Sequence, residues 1–262
     1  MTAEPEAVLY EVADRVATIT INRPEKRNTL SGPVQAGLLA SFTRAKADAD
    51  VRVVVLTGAG GRAFCAGADL TGVHTDASFI DKHEARGSIV ALFTLMYGLG
   101  KPIVAKVKGF ALAGGFGLAL ACDMVMAADD AVFGTPEINV GMWPMMITVP
   151  MLRSMPPKVA LELQMTGRRV PAEEAVRLGF VNRVFPVGTI DADVAAVAAD
   201  LALKSPSIMK LGKDAFYTAI DLDAATAWKL LQTGLTMVNA TEDSVEGIKA
   251  FAEKRPPDYQ GR

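Results

Sequence analysis

Two glycine-rich turns in the sequence have the composition to bind an oxygen anion through main-chain N–H groups. They cover residues 63–70 (AFCAGADL) and 109–116 (GFALAGGF). Small residues leave N–H groups open to a ligand, and two such donors aimed at one carbonyl oxygen stabilise an enolate or a tetrahedral anion. Glycine also permits close packing of a helix on a strand, which is the better interpretation of either turn taken alone. An acid downstream of both turns favours a catalytic site instead.

Glu137 is that acid, and it lies within residues 133–141 (FGTPEINVG). It is the only charged residue between Asp130 and Arg153, in a strongly apolar stretch. A carboxyl group in such surroundings has a raised pKa, which suits a general acid or base near neutral pH. A helix-capping or ion-paired glutamate is the alternative that the sequence leaves open.

The sequence gives weaker support to a dinucleotide-binding site or a catalytic nucleophile. Residues 58–63 (GAGGRA) follow a predicted strand in the loose pattern of a dinucleotide-binding turn, but the residues after them are too small for the helix that this turn requires. No G-x-S-x-G motif is present. We interpret Cys65 and Cys122 as small buried residues rather than nucleophiles. His74 and His83 lie among charged residues, which predicts a solvated face.

Composition excludes several functional classes. With 27 Lys and Arg against 29 Asp and Glu, the 262-residue chain has a net charge of −2 and lacks the basic excess of a nucleic-acid-binding protein. Two cysteines are too few for a disulfide framework. No recognisable motif positions His74 or His83 with Cys65 and Cys122, so a structural zinc site is not expected. The longest uncharged stretches, 109–122 and 138–152, are shorter than the roughly 20 residues of a membrane helix. The N-terminus is acidic rather than basic, so we expect a cytoplasmic protein.

The predicted elements place these turns in an α/β core. A hairpin over 8–21 precedes a helix from Ser31, and from 156 onward the pattern is helical. This order predicts one α/β core with a helical C-terminal part. The remaining predicted strands cover 51–57, 102–107, 124–127 and 131–133, and the remaining predicted helices cover 79–99, 114–121, 191–204 and 223–238.

Further motifs accompany these turns along the chain: the set is 22–28 (NRPEKRN), 63–70, 109–115, 133–141, 166–167 with 172–182, and 246–255. In this order and at these spacings, the motifs resemble the enoyl-CoA hydratase/isomerase (crotonase) family. The resemblance implies a spiral of ββα units with a C-terminal helical region used for trimerisation. Accordingly, we expect a core with an acyl-CoA site over 1–200, a helical region over 201–262 that packs on the core and on a neighbouring subunit, and a homotrimer or dimer of trimers.

The resemblance also implies an acyl-CoA thioester as ligand and assigns residues by position. The N–H groups of Ala68 and Gly114 would form the oxyanion hole, and Glu137 would be the acid and base. No metal is implied, and no cofactor other than the CoA of the substrate. The acyl pocket would include Met142, Trp143 and Met145, although such a stripe is also typical of a packed core. The residues expected to contact CoA are Lys26, Arg27, Ala66, Asp69, Leu70, Phe251 and Lys254, the last two also being compatible with an ordinary amphipathic helix end.

Departures from the family pattern favour one reaction. Hydratases of this family hold water with two glutamates; the second matches Glu137, but the first falls on Gly117. Their glycine-rich loop after the second glutamate is replaced here by residues 144–148 (PMMIT). Dienoyl-CoA isomerases need acids at the positions of Gly117 and Met145. A single acid beside an oxyanion hole resembles the Δ3,Δ2-enoyl-CoA isomerases, which move a double bond by taking a proton from C2 and returning it to C4.

Two other functions stay open from the sequence. One is an enoyl-CoA hydratase, a lyase, with an atypical one-glutamate site; the other is a non-catalytic acyl-CoA-binding protein. A decarboxylase or thioesterase is a further alternative, because one oxyanion hole supports many chemistries. Retention of Glu137 argues against the pure binding protein, since a buried acid without a task costs stability. Each of these readings implies a place in fatty acid or other lipid metabolism.

Overall fold

Two β-sheets form the frame of the chain in the computed structural model, which describes residues 6–69 and 78–262. The larger sheet has the strand order β1-β2-β3-β5-β7-β10 and is parallel except for the β1–β2 hairpin. The smaller sheet has the order β4-β6-β8-β9, with only β9 antiparallel. The strands are β1 Val8–Ala13, β2 Val16–Ile21, β3 Val53–Gly58, β4 Ala63–Cys65, β5 Ile103–Val107, β6 Phe110–Leu112, β7 Met124–Ala128, β8 Val132–Gly134, β9 Arg169–Pro171 and β10 Arg183–Phe185.

Strand β3 shows why the central strands are apolar along their whole length. Val54 and Leu56 face the main core, while Val53 and Val55 face a second core on the opposite side of the sheet. Because successive side chains of a strand point to opposite faces, a strand covered on both faces needs apolar residues at every position. The larger sheet is therefore the middle layer of the molecule.

Helices cover both faces of this sheet. Helix α8 fills the second core with residues four apart, among them Ile190, Val194 and Ala198, as expected for one face of a helix. The helices are α1 Gly32–Ala47, α2 Phe79–Ala85, α3 Gly87–Tyr97, α4 Gly114–Leu120, α5 Thr148–Ser154, α6 Pro157–Thr166, α7 Ala172–Arg177, α8 Ile190–Ala202, α9 Pro206–Ala219, α10 Ala224–Asn239 and α11 Glu242–Glu253. Short 3-10 helices cover Pro24–Lys26 and Pro136–Val140.

The structure differs from the predicted elements in several places. The helical pattern of 79–99 is divided into α2 and α3 at Arg86. The glycine-rich loop 58–67 contains β4, and the C-terminal part predicted as helical contains β9 and β10. Each of these strands has three residues, too few to show a period of two, and each forms because a neighbouring strand supplies its hydrogen bonds.

The carboxylate of Asp243 is one of the groups that hold the end of the chain in place. Asp243, in the first turn of α11, is 1% exposed and accepts hydrogen bonds from the hydroxyls of Ser205 (2.5 Å) and Ser207 (3.1 Å). The main-chain N–H groups of Gln260 (2.8 Å) and Gly261 (3.0 Å) donate to the same carboxylate. Burial alone would raise the pKa of Asp243, but these hydrogen bonds outweigh it and leave the pKa below its usual range. The tail, residues 258–262, is thereby tied to the start of α9.

Acidification is expected to release this tail. Because the pKa of Asp243 is lower in the folded than in the unfolded chain, its carboxylate contributes stability above an unfolded pKa of about 4. That contribution is lost as the pH falls through the folded value. Hydrogen-exchange protection factors of the Gln260 and Gly261 amides should therefore be high at about pH 6 and fall below about pH 4. In an Asp243→Asn variant they should already be low at the higher pH; equal protection in variant and wild type would contradict the anchor.

Within the described part of the chain, no helix combines the length and the apolar character needed to cross a lipid bilayer.

Candidate functional site

The two glycine-rich segments, 63–70 and 109–116, meet because each contains a short strand of the smaller sheet near its start. Strands β4 and β6 are parallel neighbours, so the segments after them emerge at the same edge. Gly67 has a φ of +96°, and a Cβ added to it would lie 2.5 Å from Ala113 Cβ and 3.3 Å from Gly114 N. A Cβ added to Gly114 would lie 3.9 Å from Ala68 N. Only glycine at position 67 allows the two main chains to approach this closely.

The N–H groups of Ala68 and Gly114 are the pair that this contact brings together. Gly114 is the first residue of α4, and N–H groups of a first helical turn have no acceptor within the helix. Among residues 6–69 and 78–262, neither nitrogen donates a hydrogen bond. Ala113, just before Gly114, has φ +53° and ψ −129° and donates its own N–H to Gly134 O at 2.9 Å. The arrangement leaves two adjacent donors for one oxygen atom.

Glu137 is half-buried on the 3-10 helix Pro136–Val140, which follows β8. Its Oε2 atom is buried and makes no hydrogen bond within the described residues. Burial raises the pKa of this carboxyl, while the Glu137 main-chain N–H lowers it by a smaller amount. The sequence prediction of a raised pKa is confirmed, and within residues 6–69 and 78–262 neither a helix cap nor an ion pair accounts for this side chain.

Two buried polar side chains hold the segments around Glu137 in position. Thr135 is fully buried, and its hydroxyl donates to Leu163 O in α6 at 2.7 Å. Gln164, also buried, donates to Thr148 Oγ1 at 2.8 Å. Sequence reasoning missed both roles; the one available signal was a threonine two residues before Glu137 in the FGTPE motif.

Gly117 packs against Ile147. A Cβ added to Gly117 would lie 2.5 Å from Ile147 Cβ and closer still to its Cγ2. Ile147 is 3% exposed and belongs to the main core. Gly117 is one turn after Gly114, so the same face of α4 carries the Gly114 N–H group and this apolar contact. No space is left at Gly117 for a second acidic side chain.

The residues assigned to the acyl pocket differ in exposure. Met142 and Trp143 are half-buried, just after the 3-10 helix that carries Glu137. The Met145 side chain is 71% exposed. The structure thus keeps Met142 and Trp143 near the acid and turns Met145 to the surface, and all three pocket roles stay predictions.

The residues assigned to CoA lie in two groups. Lys26 and Arg27 are exposed, and Arg27 O accepts a hydrogen bond from Ala66 N at 3.0 Å. This bond holds their loop against the segment that contains Ala66 and Asp69. Leu70 lies outside the described residues. Phe251, 86% exposed, and Lys254 lie at the end of α11, which packs on α9 and α10.

The structure agrees with the interpretation of Cys65 and Cys122 as buried residues and of His83 as a solvated one. Cys65 and Cys122 are buried free thiols, and burial raises the pKa of Cys65 to about 12 and that of Cys122 well above its usual value. His83 is exposed, while His74 lies outside the described residues. Within the described ranges, no three His, Cys, Asp or Glu side chains cluster as metal ligands would.

Comparison with known proteins is consistent with this geometry. A family model described as enoyl-CoA hydratase/isomerase matches residues 11–262. The carnitinyl-CoA dehydratase of Proteus mirabilis is 36% identical over 252 residues, which cover 94% of this chain and 95% of that protein. The mouse mitochondrial enoyl-CoA hydratase domain-containing protein 3 is 33% identical over 97% of this chain and 85% of its own length.

Solved structures agree in fold. An enoyl-CoA hydratase from Bacillus anthracis superposes with a TM-score of 0.92 at 34% identity, covering 98% of this chain and 100% of that one. The enoyl-CoA hydratase from Mycobacterium smegmatis gives 0.92 at 32% identity over 97% and 98% of the two chains. The expected α/β crotonase-type fold is confirmed.

Proposed function

The chain belongs to the enoyl-CoA hydratase/isomerase family, and on this basis we propose that it converts 3-enoyl-CoA thioesters to 2-enoyl-CoA thioesters. The Glu137 carboxylate takes a proton from C2, and the electrons of the broken C–H bond delocalise onto the thioester oxygen. The N–H groups of Ala68 and Gly114 bind that oxygen as negative charge develops on it. The same carboxyl group then returns the proton to C4, which leaves the double bond between C2 and C3.

The observation that carries this proposal is the buried Oε2 atom of Glu137, which has no hydrogen-bond partner in the part of the chain that the structure describes. A buried polar atom without a partner costs about 1–3 kcal/mol, so a functional role is the reasonable explanation for it. Its raised pKa brings the carboxyl closer to the range in which it both accepts and returns a proton.

The contact between Gly117 and Ile147 supports isomerisation over hydration. Adding water across a double bond requires groups that hold and activate the water. One turn after Gly114, α4 carries Gly117 instead of a second acid, and Ile147, the residue before α5, packs against it. An apolar wall excludes water, so that the intermediate is reprotonated.

Hydration is the second candidate, because the solved relatives are named enoyl-CoA hydratases. On that alternative Glu137 alone would activate water.

Incubation of the protein with trans-3-hexenoyl-CoA in deuterated buffer tests the proposal. We expect 2-hexenoyl-CoA, identified by NMR and mass, with little 3-hydroxyhexanoyl-CoA. A 3-hydroxy product as the main outcome would establish the hydratase instead. Tight binding of the thioester without turnover would indicate a binding protein.

The acid limb of the pH–rate profile should report Glu137. Because burial raises its pKa above the usual 4.5, the carboxylate needed as base is lost at a higher pH than for an exposed glutamate. We expect kcat/KM to fall on the acid side with an apparent pKa above 4.5, at a pH where circular dichroism still shows the folded protein. A profile that stays flat to about pH 4 would contradict Glu137 as the base.

The remaining assignments of the site belong to the same proposal. Lys26, Arg27, Ala66, Asp69, Leu70, Phe251 and Lys254 would bind the CoA part, and no cofactor other than CoA would be required. A cytoplasmic location is part of the proposal as well.

Assembly into a homotrimer, or a dimer of trimers, is supported by apolar side chains on the C-terminal helices. Phe216 on α9, Trp228 on α10 and Ile248 on α11 are 61%, 73% and 70% exposed in the single chain. A second copy would cover them, and light scattering of the purified protein would give the number of chains.

A further inference from the structure

Asn28 is a fully buried polar residue that the proposed reaction does not use. Its main chain is in the left-handed region, with φ +55°. The side-chain oxygen accepts a hydrogen bond from Arg23 N at 2.9 Å, and the side-chain amide donates to Ala59 O at 3.0 Å and Ala63 O at 2.7 Å. One side chain therefore joins the loop before α1 to both ends of the turn between β3 and β4.

Main-chain hydrogen bonds of Arg27 and Leu30, on either side of Asn28, join the same loop to the residues that follow β4. Arg27 O accepts Ala66 N at 3.0 Å, and Leu30 N donates to Gly67 O at 2.8 Å. Leu30 also pairs with Ala68 as an isolated β-bridge. The loop of residues 23–30 is thus hydrogen-bonded along its length to the segment that ends at the oxyanion donor.

The two ends of this connection have different tasks in the proposed site. Lys26 and Arg27 lie at the end assigned to CoA, and Ala68 N lies at the end assigned to the thioester oxygen. Binding energy from a remote part of a substrate lowers a reaction barrier only when the protein transmits it to the reacting centre. A rigid, buried link between the two loops is suited to that transmission, because a displacement of about 1 Å costs about 10²-fold in rate.

We propose that Asn28 is a positioning residue that couples CoA binding at Lys26 and Arg27 to the alignment of the Ala68 oxyanion donor. The proposal rests on the acyl-CoA site described under the proposed function. It deepens that function by naming the side chain through which the nucleotide end of the substrate increases the rate at the acyl end.

A truncated substrate distinguishes a coupling role of Asn28 from a role in the stability of the fold alone. In the wild type, kcat for 3-hexenoyl-CoA should exceed kcat for 3-hexenoyl-pantetheine, which lacks the nucleotide. Asn28→Gly removes the three side-chain bonds but keeps a residue that adopts positive φ without strain. We expect this variant to reduce the ratio of the two kcat values by about tenfold, mainly by slowing the CoA thioester.

A double-mutant cycle gives the second readout. Lys26→Ala should lower kcat for the CoA thioester in the wild type but have little further effect in the Asn28→Gly background. Rates are divided by the concentration of sites titrated with hexanoyl-CoA, so that partial unfolding does not count as slowing. If Asn28→Gly does not fold, Asn28→Asp takes its place, since it keeps the size of the side chain and the acceptor for Arg23 N while removing both donors.

Each outcome decides the question. Equal slowing of both thioesters, with Lys26→Ala multiplying the loss, would mean that Asn28 only stabilises the fold and would overturn the proposal. If the wild type turns over neither thioester, the proposed function fails, and the same cycle is then read in the dissociation constant of hexanoyl-CoA. Additive effects of the two substitutions on that constant would overturn the coupling independently.

Discussion

Replacement of Glu137 by glutamine should lower kcat for isomerisation by about 10³-fold while leaving the fold intact. Glutamine has nearly the same shape as glutamate, but its amide accepts no proton from C2 and holds none to return to C4. The substitution breaks no hydrogen bond of Oε2, because that atom makes none within the described residues. It also removes a buried acid, so we expect equal or higher thermal stability.

The measurement compares three proteins on 3-hexenoyl-CoA: the wild type, Glu137→Gln and Glu173→Gln. Glu173 is an exposed carboxylate in the first turn of α7, and its replacement should leave kcat unchanged. Hexanoyl-CoA should bind Glu137→Gln about as tightly as it binds the wild type. Retention of more than about a tenth of the wild-type kcat would rule out Glu137 as the only acid and base.

A second acid at position 117 should not be tolerated in this chain. The first atom of a side chain at Gly117 would already overlap Ile147, and a glutamate would add a buried carboxylate to that overlap. We expect Gly117→Glu to lower the free energy of unfolding by more than about 4 kcal/mol, so that little folded protein is recovered. Urea unfolding followed by circular dichroism measures the change.

Two comparisons make that result specific. Gly87 is the exposed first residue of α3, with open space around it, and Gly87→Glu should leave the stability nearly unchanged. Replacing Ile147 by glycine removes the atoms that block position 117, so the double variant Gly117→Glu/Ile147→Gly should recover part of the lost stability. A well-folded Gly117→Glu single variant would contradict this prediction, because it would show that Ile147 moves far enough to admit a glutamate at position 117.

The long elements of the fold were predictable because their buried positions carry apolar residues in a continuous run or at regular spacing along the sequence. Strand β3 is a run of β-branched residues, and α1 begins at a Ser-Gly-Pro sequence that is typical of a helix start. The three-residue strands β9 and β10 were not predictable, since they depend on partners distant in the chain. The division between α2 and α3 was not predictable either, because the helical spacing of apolar residues continues past Arg86.

The parts of the candidate site that were predictable are those that a short stretch of sequence shows by its residue types. Glu137 is conspicuous as one charge in an apolar stretch, and the two glycine-rich segments indicate a pair of main-chain donors. The family resemblance assigned Ala68 and Gly114 as those donors. Their approach depends on the parallel pairing of β4 and β6, two three-residue strands that no sequence pattern indicated. The roles of Asn28 and Ile147 depend on which atoms of distant loops meet them. No spacing in the sequence indicates that an asparagine at position 28 bonds Ala59 and Ala63, or that an isoleucine at 147 fills the space beside Gly117.

The two native cysteines make the protein convenient for site-specific labelling. Both thiols are buried with raised pKa values, so they react slowly with maleimides and other thiol reagents. A single cysteine introduced on the surface would be the only fast-reacting thiol, without prior removal of the native pair. Glu25, exposed beside Lys26 on the loop assigned to CoA, is a suitable position, and a fluorophore attached there would report the arrival of a thioester in real time.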